Sequence, residues 1–153
     1  NSFKNDVWYS TDGANWTEAT ANTAWPVRAD SDTAVFDNKM WVISGIGGTL
    51  LADVWSSTGG TNWTQVTANV AWNANYSSSA VVYDNKMWLM GGQPSGGSEV
   101  WSSRDGNSWT LATPNTGWGT RLEAGAVVLN GRIWLIGGYV GGTFKNDVWQ
   151  TSD

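Results

Sequence analysis

Tryptophan recurs in this chain at a fixed spacing, and that spacing constrains the fold more than any other feature. The chain has 153 residues, of which 13 are Trp. An acidic residue followed by Val-Trp recurs at intervals of 47, 46 and 48 residues, ending at Trp8, Trp55, Trp101 and Trp149. Three more series advance by 47 and then 46 residues: Trp16, Trp63, Trp109; Trp25, Trp72, Trp118; and Trp41, Trp88, Trp134. The sequence is therefore a tandem repeat.

Each period predicts four short β strands and no helix. Ala34–Phe36 and Met40–Ile43 flank Asp37-Asn38, a strand–turn–strand pattern whose turn residues tolerate positive φ. A glycine-rich loop, a third strand at Asp53-Val54-Trp55 and a fourth at Asn62-Trp63-Thr64 follow. Four short strands per 46–48 residues are typical of a β-propeller blade. The first, innermost strands should centre on Val35, Val82 and Val128, and the second strands on Trp41, Trp88 and Trp134.

The repeat resembles a known family. The double glycine after the second strand, as in Gly91-Gly92, the Asn-Asp-Val-Trp third strand and the Trp-Thr fourth strand are similar to kelch repeats. The similarity is greatest to bacterial kelch-like proteins, grouped with the central propeller domain of galactose oxidase. It implies an all-β, kelch-type β-propeller with three four-stranded blades over residues 1–153. The chain departs from the pattern at Ser44-Gly45, in the Ser pairs after the third strand, and in a missing His near each innermost strand.

Two segments of the sequence are near copies three periods apart, residues 1–12 and residues 142–153. Propellers usually close with four to eight blades, so an arc of three would leave open faces and unpaired strand edges. We expect two chains to close one six-bladed ring, each donating residues 5–18 to the other. Residues 3–8 should take the junction position in preference to residues 144–153. A fragment of a longer propeller is the alternative, in keeping with a start that lacks Met.

Composition excludes several functional classes. The absence of Cys and His rules out thiol nucleophiles, disulfide scaffolds, His-based triads and a copper site like that of galactose oxidase. A net charge of −5 argues against nucleic acid, and the apolar runs are too short for a membrane span. Asp30 and Asp32 could offer oxygen ligands to Ca²⁺, but no Asp-x-Asp-x-Asp-Gly loop is present. We expect no cofactor and no metal, and the composition suits an exported bacterial protein.

The three copies differ most just after Trp25, Trp72 and Trp118, where the chain enters the innermost strand. In the family this place is the mouth of the axial channel. Three, five and seven residues after each Trp, the polar candidates for ligand binding are Arg28, Asp30, Asp32, Asn75, Ser77, Arg121 and Glu123. Either these side chains bind a ligand, or each Arg pairs with the acid two residues on and orders its loop. Trp25, Trp72 and Trp118 could themselves be structural plugs or a ligand platform.

We therefore expect a non-enzymatic kelch-type propeller module that self-associates and binds a protein or glycan at its channel mouth. Two other functions stay open. One is a sugar-processing enzyme of the bacterial kelch type, with Arg28, Arg121 and Glu123 as its candidate residues. The other is a purely structural half-propeller, natural or engineered, that only self-associates.

Overall fold

The computed structural model describes residues 2–72, 75–93 and 97–151, which form a series of antiparallel β sheets. This described part of the chain contains no helix, and so none that could cross a membrane. The expected all-β fold is confirmed. Residue 1 and residues 152–153, at the ends of the two copied segments, lie outside the described residues.

The sheets follow one another as an N-terminal hairpin and three blades. The strands are β1 Val7–Tyr9, β2 Thr17–Thr20, β3 Asp32–Phe36, β4 Lys39–Ile46, β5 Leu50–Ser57, β6 Thr64–Thr67, β7 Tyr76–Tyr83, β8 Lys86–Gln93, β9 Val100–Ser103, β10 Trp109–Thr113, β11 Gly125–Leu129, β12 Arg132–Ile136, β13 Tyr139–Val140, β14 Thr143–Phe144 and β15 Val148–Gln150. Blade 1 has the order β3-β4-β5-β6 and blade 2 the order β7-β8-β9-β10, while β1 pairs with β2 alone. These are the predicted four-stranded blades.

Blade 3 differs from the first two in its outer part. Its sheet has the order β11-β12-β15, with three strands in the described residues. The strand β15 takes the third position, where Leu135 faces Trp149 and Ile136 faces Val148. The short hairpin β13–β14, which the repeat pattern did not predict, lies between β12 and β15 in the chain. No strand pairs with the outer edge of β15 in the described residues. In blades 1 and 2 the equivalent edges belong to β5 and β9, and they are paired with β6 and β10.

The tight turns between first and second strands agree with their turn chemistry. Asp37 and Asn38 have φ of 51° and 55°, and Asp84 and Asn85 have φ of 48° and 53°. In blade 3 the pair is Asn130-Gly131, with φ of 52° and 70°. Two successive residues with positive φ give the hairpin turn whose twist matches its strands. The predicted hairpins are confirmed, and each flanking strand contains the residue on which it was predicted to centre.

The fourth strands begin one or two residues later than predicted. The strand β2 begins at Thr17 and β6 at Thr64, each one residue after its Trp. The indole N–H of Trp63 donates to the carbonyl of Gly60 at 2.9 Å, and that of Trp109 donates to the carbonyl of Gly106 at the same distance. Because β10 nevertheless begins at Trp109, this bond does not determine where the fourth strand begins.

The largest core lies between blades 1 and 2, and Trp supplies three of its nine buried members. Its residues are Phe36, Trp41, Ile43, Val54, Val70, Trp72, Met87, Leu89 and Trp109. Trp side chains on the strands, such as Trp41 and Trp109, therefore fill the space between this pair of blades. The strand β7 contacts both β3 and β11, so the innermost strands of the three blades lie side by side. The polar residues predicted to bind ligand precede or begin these strands.

Candidate functional site

Two predicted site residues, Arg28 and Arg121, are buried in equivalent ion pairs. Arg28 donates from Nη1 and Nη2 to the two carboxylate oxygens of Asp53, each at 2.9 Å. Its Nη1 also donates to the carbonyl of Ser44 at 2.7 Å. In blade 3, Arg121 donates to Asp147 at 2.6 and 2.8 Å and to the carbonyl of Gly137 at 2.6 Å. Each guanidinium thus joins the entry of the innermost strand to the third strand of its own blade.

The carboxylates in these pairs belong to the repeated acid-Val-Trp motif. In every copy the Trp indole donates to the acid two residues earlier, at 3.0 Å for Trp8 to Asp6 and 2.7 Å for Trp55 to Asp53. Hydrogen bonds from Arg121, then from Trp149, hold the pKa of Asp147 well below its usual range. The motif therefore builds an anionic acceptor that is already oriented by its own Trp.

The interpretation in which each Arg pairs with the acid two residues on is wrong. The partners are Asp53 and Asp147, which lie 25 and 26 residues further along the chain. The sequence held one signal for this pairing, in the second repeat. There Arg is replaced by Asn75, and the equivalent of Asp53 is Glu99, so both members of the pair change together.

Asn75 occupies the arginine position of blade 2 without reproducing its contacts. It is buried, and in the described residues its Oδ1 has no hydrogen-bond partner. The carboxylate of Glu99 instead accepts from the Trp101 indole at 2.9 Å. Blade 2 therefore has no ion pair at this point in the described residues, and the backbone carbonyl of Asn75 accepts a hydrogen bond from the amide of Gly45 in blade 1 at 3.0 Å.

The fifth position after each Trp forms a ladder of backbone hydrogen bonds across the three blades. Asp30, Ser77 and Glu123 all have left-handed backbone conformations, with φ of 52°, 56° and 52°. The amide of Ser77 donates to the carbonyl of Asp30 at 3.1 Å, and the amide of Glu123 donates to the carbonyl of Ser77 at 2.9 Å. Such a backbone is unfavourable for a residue with a Cβ, so it persists where surrounding contacts hold it.

The side chains on this ladder differ in exposure. Asp30 and Glu123 are exposed, whereas Ser77 is buried. Of the polar candidates, these two carboxylates are therefore the ones that a ligand could reach without displacing protein atoms. Both lie at the entry to the innermost strands, where the resemblance to the family places the channel mouth.

Asp32 lies below this surface, on β3. It is buried, and it accepts a hydrogen bond from the hydroxyl of Ser78 in blade 2. Burial raises the pKa of Asp32 to about 6, and the bond from Ser78 only partly opposes that shift. This carboxyl joins two innermost strands and is covered from solvent. Within the described residues, no group of three acidic side chains is arranged to hold a metal ion.

The Trp series before the innermost strands consists mainly of plugs between blades. Trp25 packs edge-on against Trp63 with ring centroids 6.0 Å apart, and Trp72 packs against Trp109 at 4.7 Å. Both Trp25 and Trp72 are buried, whereas Trp118 is only partly buried. Of the three Trp residues proposed as a ligand platform, Trp118 alone therefore keeps an accessible surface in the described structure.

Comparison with protein families finds a match in the last blade. A family model described as the Kelch motif matches residues 120–150, which contain the five strands from β11 to β15. No curated protein matches the chain. The matched segment includes the ion pair of blade 3, in which Arg121 is buried and the side chain of Asp147 is 38% exposed.

Proposed function

We propose that this chain, which carries a Kelch motif over residues 120–150 and folds into repeated antiparallel sheets, is a non-enzymatic binding module that self-associates into a closed ring. In this proposal the ring binds a protein or a glycan at the mouth of its channel. The ligand-binding residues are Asp30 and Glu123. The buried arginines, Arg28 and Arg121, position the backbone that carries these two carboxylates.

The observation that carries the binding proposal is the backbone ladder. It fixes Asp30 and Glu123 on either side of Ser77, at the same end of three adjacent innermost strands. A ligand site on a rigid backbone loses little entropy when it binds, because its geometry exists beforehand. The two carboxylates accept hydrogen bonds, so the matching ligand presents donors: sugar hydroxyls, or the basic side chains of a peptide.

The same ladder supports assembly. Each amide on it donates to the blade before, from Glu123 to Ser77 and from Ser77 to Asp30. In a closed ring of two chains the next step runs from the amide of Asp30 in a second copy to the carbonyl of Glu123. Two chains of three blades then make six blades, a number within the range that closed propellers use.

Neutralising the two carboxylates should weaken ligand binding without affecting stability. We expect the double variant Asp30→Asn/Glu123→Gln to bind roughly a hundredfold more weakly to any ligand that the wild-type chain selects, because two charged acceptors become neutral. The ligand is selected on glycan and peptide arrays, and affinity is measured by calorimetry. The control is Glu18→Gln, which removes an exposed carboxylate from β2. Unchanged affinity in the double variant would place the site elsewhere, and a wild-type chain that binds neither array would contradict the binding proposal.

Self-association is tested separately by mass. We expect multi-angle light scattering at micromolar concentration to give twice the chain mass of 16.5 kDa, because a closed ring packs every blade face against a neighbouring blade. A persistent monomer would contradict the assembly while leaving the binding proposal to its own test.

A further inference from the structure

The core between blades 1 and 2 has a close counterpart between blades 2 and 3, and that counterpart is open. A groove of about 460 Å³ lies there. Its walls include residues 46 or 47 positions after members of the closed core, namely Trp88, Met90, Val100, Trp118, Ile133 and Leu135. The groove is thus lined by the repeat counterparts of the residues that form the closed core.

The closed core contains one indole for which the groove has no counterpart. Trp109, at the start of the fourth strand of blade 2, packs edge-on against Trp72 with centroids 4.7 Å apart. Just before it, Gly106 lies so close to the Trp41 ring that a Cβ there would be 2.1 Å from a ring carbon. In the groove the walls equivalent to Trp72 and Trp41 are Trp118 and Trp88. No fourth strand lies beside them in the described residues.

The chain carries an indole of the same series that no blade covers. Trp16 occupies the repeat position of Trp63 and Trp109, and it is 60% exposed. Gly13, three residues earlier as Gly106 is to Trp109, has open space around it. We propose that the groove of blade 3 receives Trp16 from a second copy of this chain, carried on the β1–β2 hairpin. This inference rests on the self-association proposed above and names the contacts that make it.

The opposite face shows the reciprocal half of this arrangement. A second groove, between the hairpin and blade 1, is lined by Val7, Trp25, Met40, Val42 and Trp63. These are the counterparts of Val54, Trp72, Met87, Leu89 and Trp109 in the closed core. This groove has no residues that correspond to Phe36, Trp41 and Ile43 of the closed core. Their repeats on blade 3 are Leu129, Trp134 and Ile136, of which Leu129 is 57% exposed and Ile136 is 45% exposed. Each groove therefore lacks what the other end of the chain exposes.

Charge complementarity favours the same docking. Asp6 on the hairpin is the repeat counterpart of Asp147, and it already accepts the indole of its own Trp8. When β1 of a second copy replaces β15 beside β12, Asp6 takes the guanidinium of Arg121 in place of Asp147. The exchange keeps the buried Arg paired, so no uncompensated charge results. In the single chain, β15 thus occupies the position beside β12. In the proposed dimer, β1 of the second copy occupies that position.

The test measures dimer dissociation by sedimentation at several concentrations. Trp16→Ala should raise the dimer Kd roughly a thousandfold, because two symmetry-related indoles leave the interface and buried Trp residues are common hot spots. The matched control is Phe144→Ala, an exposed aromatic on β14 that lines neither groove. A dimer that persists with wild-type Kd in the Trp16 variant would overturn the docking while leaving self-association standing. A monomeric wild-type chain would overturn both.

A pair of carboxylate variants separates the two strands that compete for Arg121. Asp6→Asn should raise the dimer Kd roughly a hundredfold or more, because each buried guanidinium in the dimer loses its carboxylate. Asp147→Asn should leave the Kd unchanged or lower it, since it weakens only the contact within one chain. Circular dichroism confirms that each variant is folded. The reverse result, in which Asp147→Asn dissociates the dimer and Asp6→Asn does not, would show that β15 holds the junction and would overturn the proposal.

Discussion

Replacing Arg28 with alanine is expected to lower the free energy of unfolding by about 3–5 kcal/mol, the usual effect of removing one partner of a buried ion pair. The side chains of Arg28 and Asp53 are 2% and 9% exposed, and they share two hydrogen bonds of 2.9 Å. Without the guanidinium, the Asp53 carboxylate keeps only the Trp55 indole as a side-chain partner, and the carbonyl of Ser44 loses its donor from Arg28. Urea denaturation followed by Trp fluorescence measures the loss.

Two further variants decide whether the loss comes from the pair. Lys39→Ala removes an exposed cation that lies 3.9 Å from Asp37, and it should change stability by less than about 1 kcal/mol. Adding Asp53→Ala to Arg28→Ala should recover part of the loss, because the second change removes the charge that the first one leaves unpaired. An Arg28→Ala chain as stable as wild type would mean that this guanidinium does not hold the blade together.

The blades were predictable because the sequence repeats the signals that build them. Each hairpin places Asn, Asp or Gly where positive φ is needed, and the four Trp series stay in register over more than 90 residues. These are local or periodic features, which a single sequence displays directly. The first residue of β6 was not predictable in the same way, since the end of a strand depends on its pairing with the neighbouring strand in the folded sheet.

The roles of the polar residues were less predictable, because their partners are distant in sequence. Asp30 is two residues from Arg28 and Asp53 is 25 residues away, so proximity favoured the wrong acid. Only folding of the blade brings Asp53, on the third strand, beside Arg28, which precedes the first strand. The paired change in blade 2, to Asn75 and Glu99, was the available signal, and it is visible only when whole repeats are compared position by position.

The exposed carboxylates show the opposite case. The sequence identified Asp30 and Glu123 from differences between copies, and the structure places both on one hydrogen-bonded ladder. Their left-handed backbone had no shared sequence signal, since Asp tolerates positive φ but Glu does not favour it. It arises because the chain must turn at this point to enter the innermost strand while its amide reaches the neighbouring blade.

Replacing Asp32 with asparagine is expected to stabilise the protein by up to about 3 kcal/mol at pH 8 and to have almost no effect at pH 4. Burial raises the pKa of this carboxyl from 3.8 to about 6 in the folded chain. Between these two values the unfolded chain ionises Asp32 while the folded chain keeps it protonated, so the folded state loses stability as pH rises. Above pH 6 the full deficit is present, and each unit of pKa difference corresponds to about 1.4 kcal/mol. An amide removes the charge and can still accept the bond from Ser78.

The matched control for this variant is Asp12→Asn, which should have the opposite sign. The backbone and side chain of Asn15 donate to the Asp12 carboxylate, and these bonds hold its pKa well below the usual range. Its contribution is therefore present near neutral pH and is lost as the pH falls below about 4. Thermal melts of both variants and of the wild type between about pH 2 and pH 8 measure the two effects. If Asp32→Asn melts below the wild type at pH 8, the ionised carboxylate stabilises the contact between β3 and β7, and burial does not govern its titration.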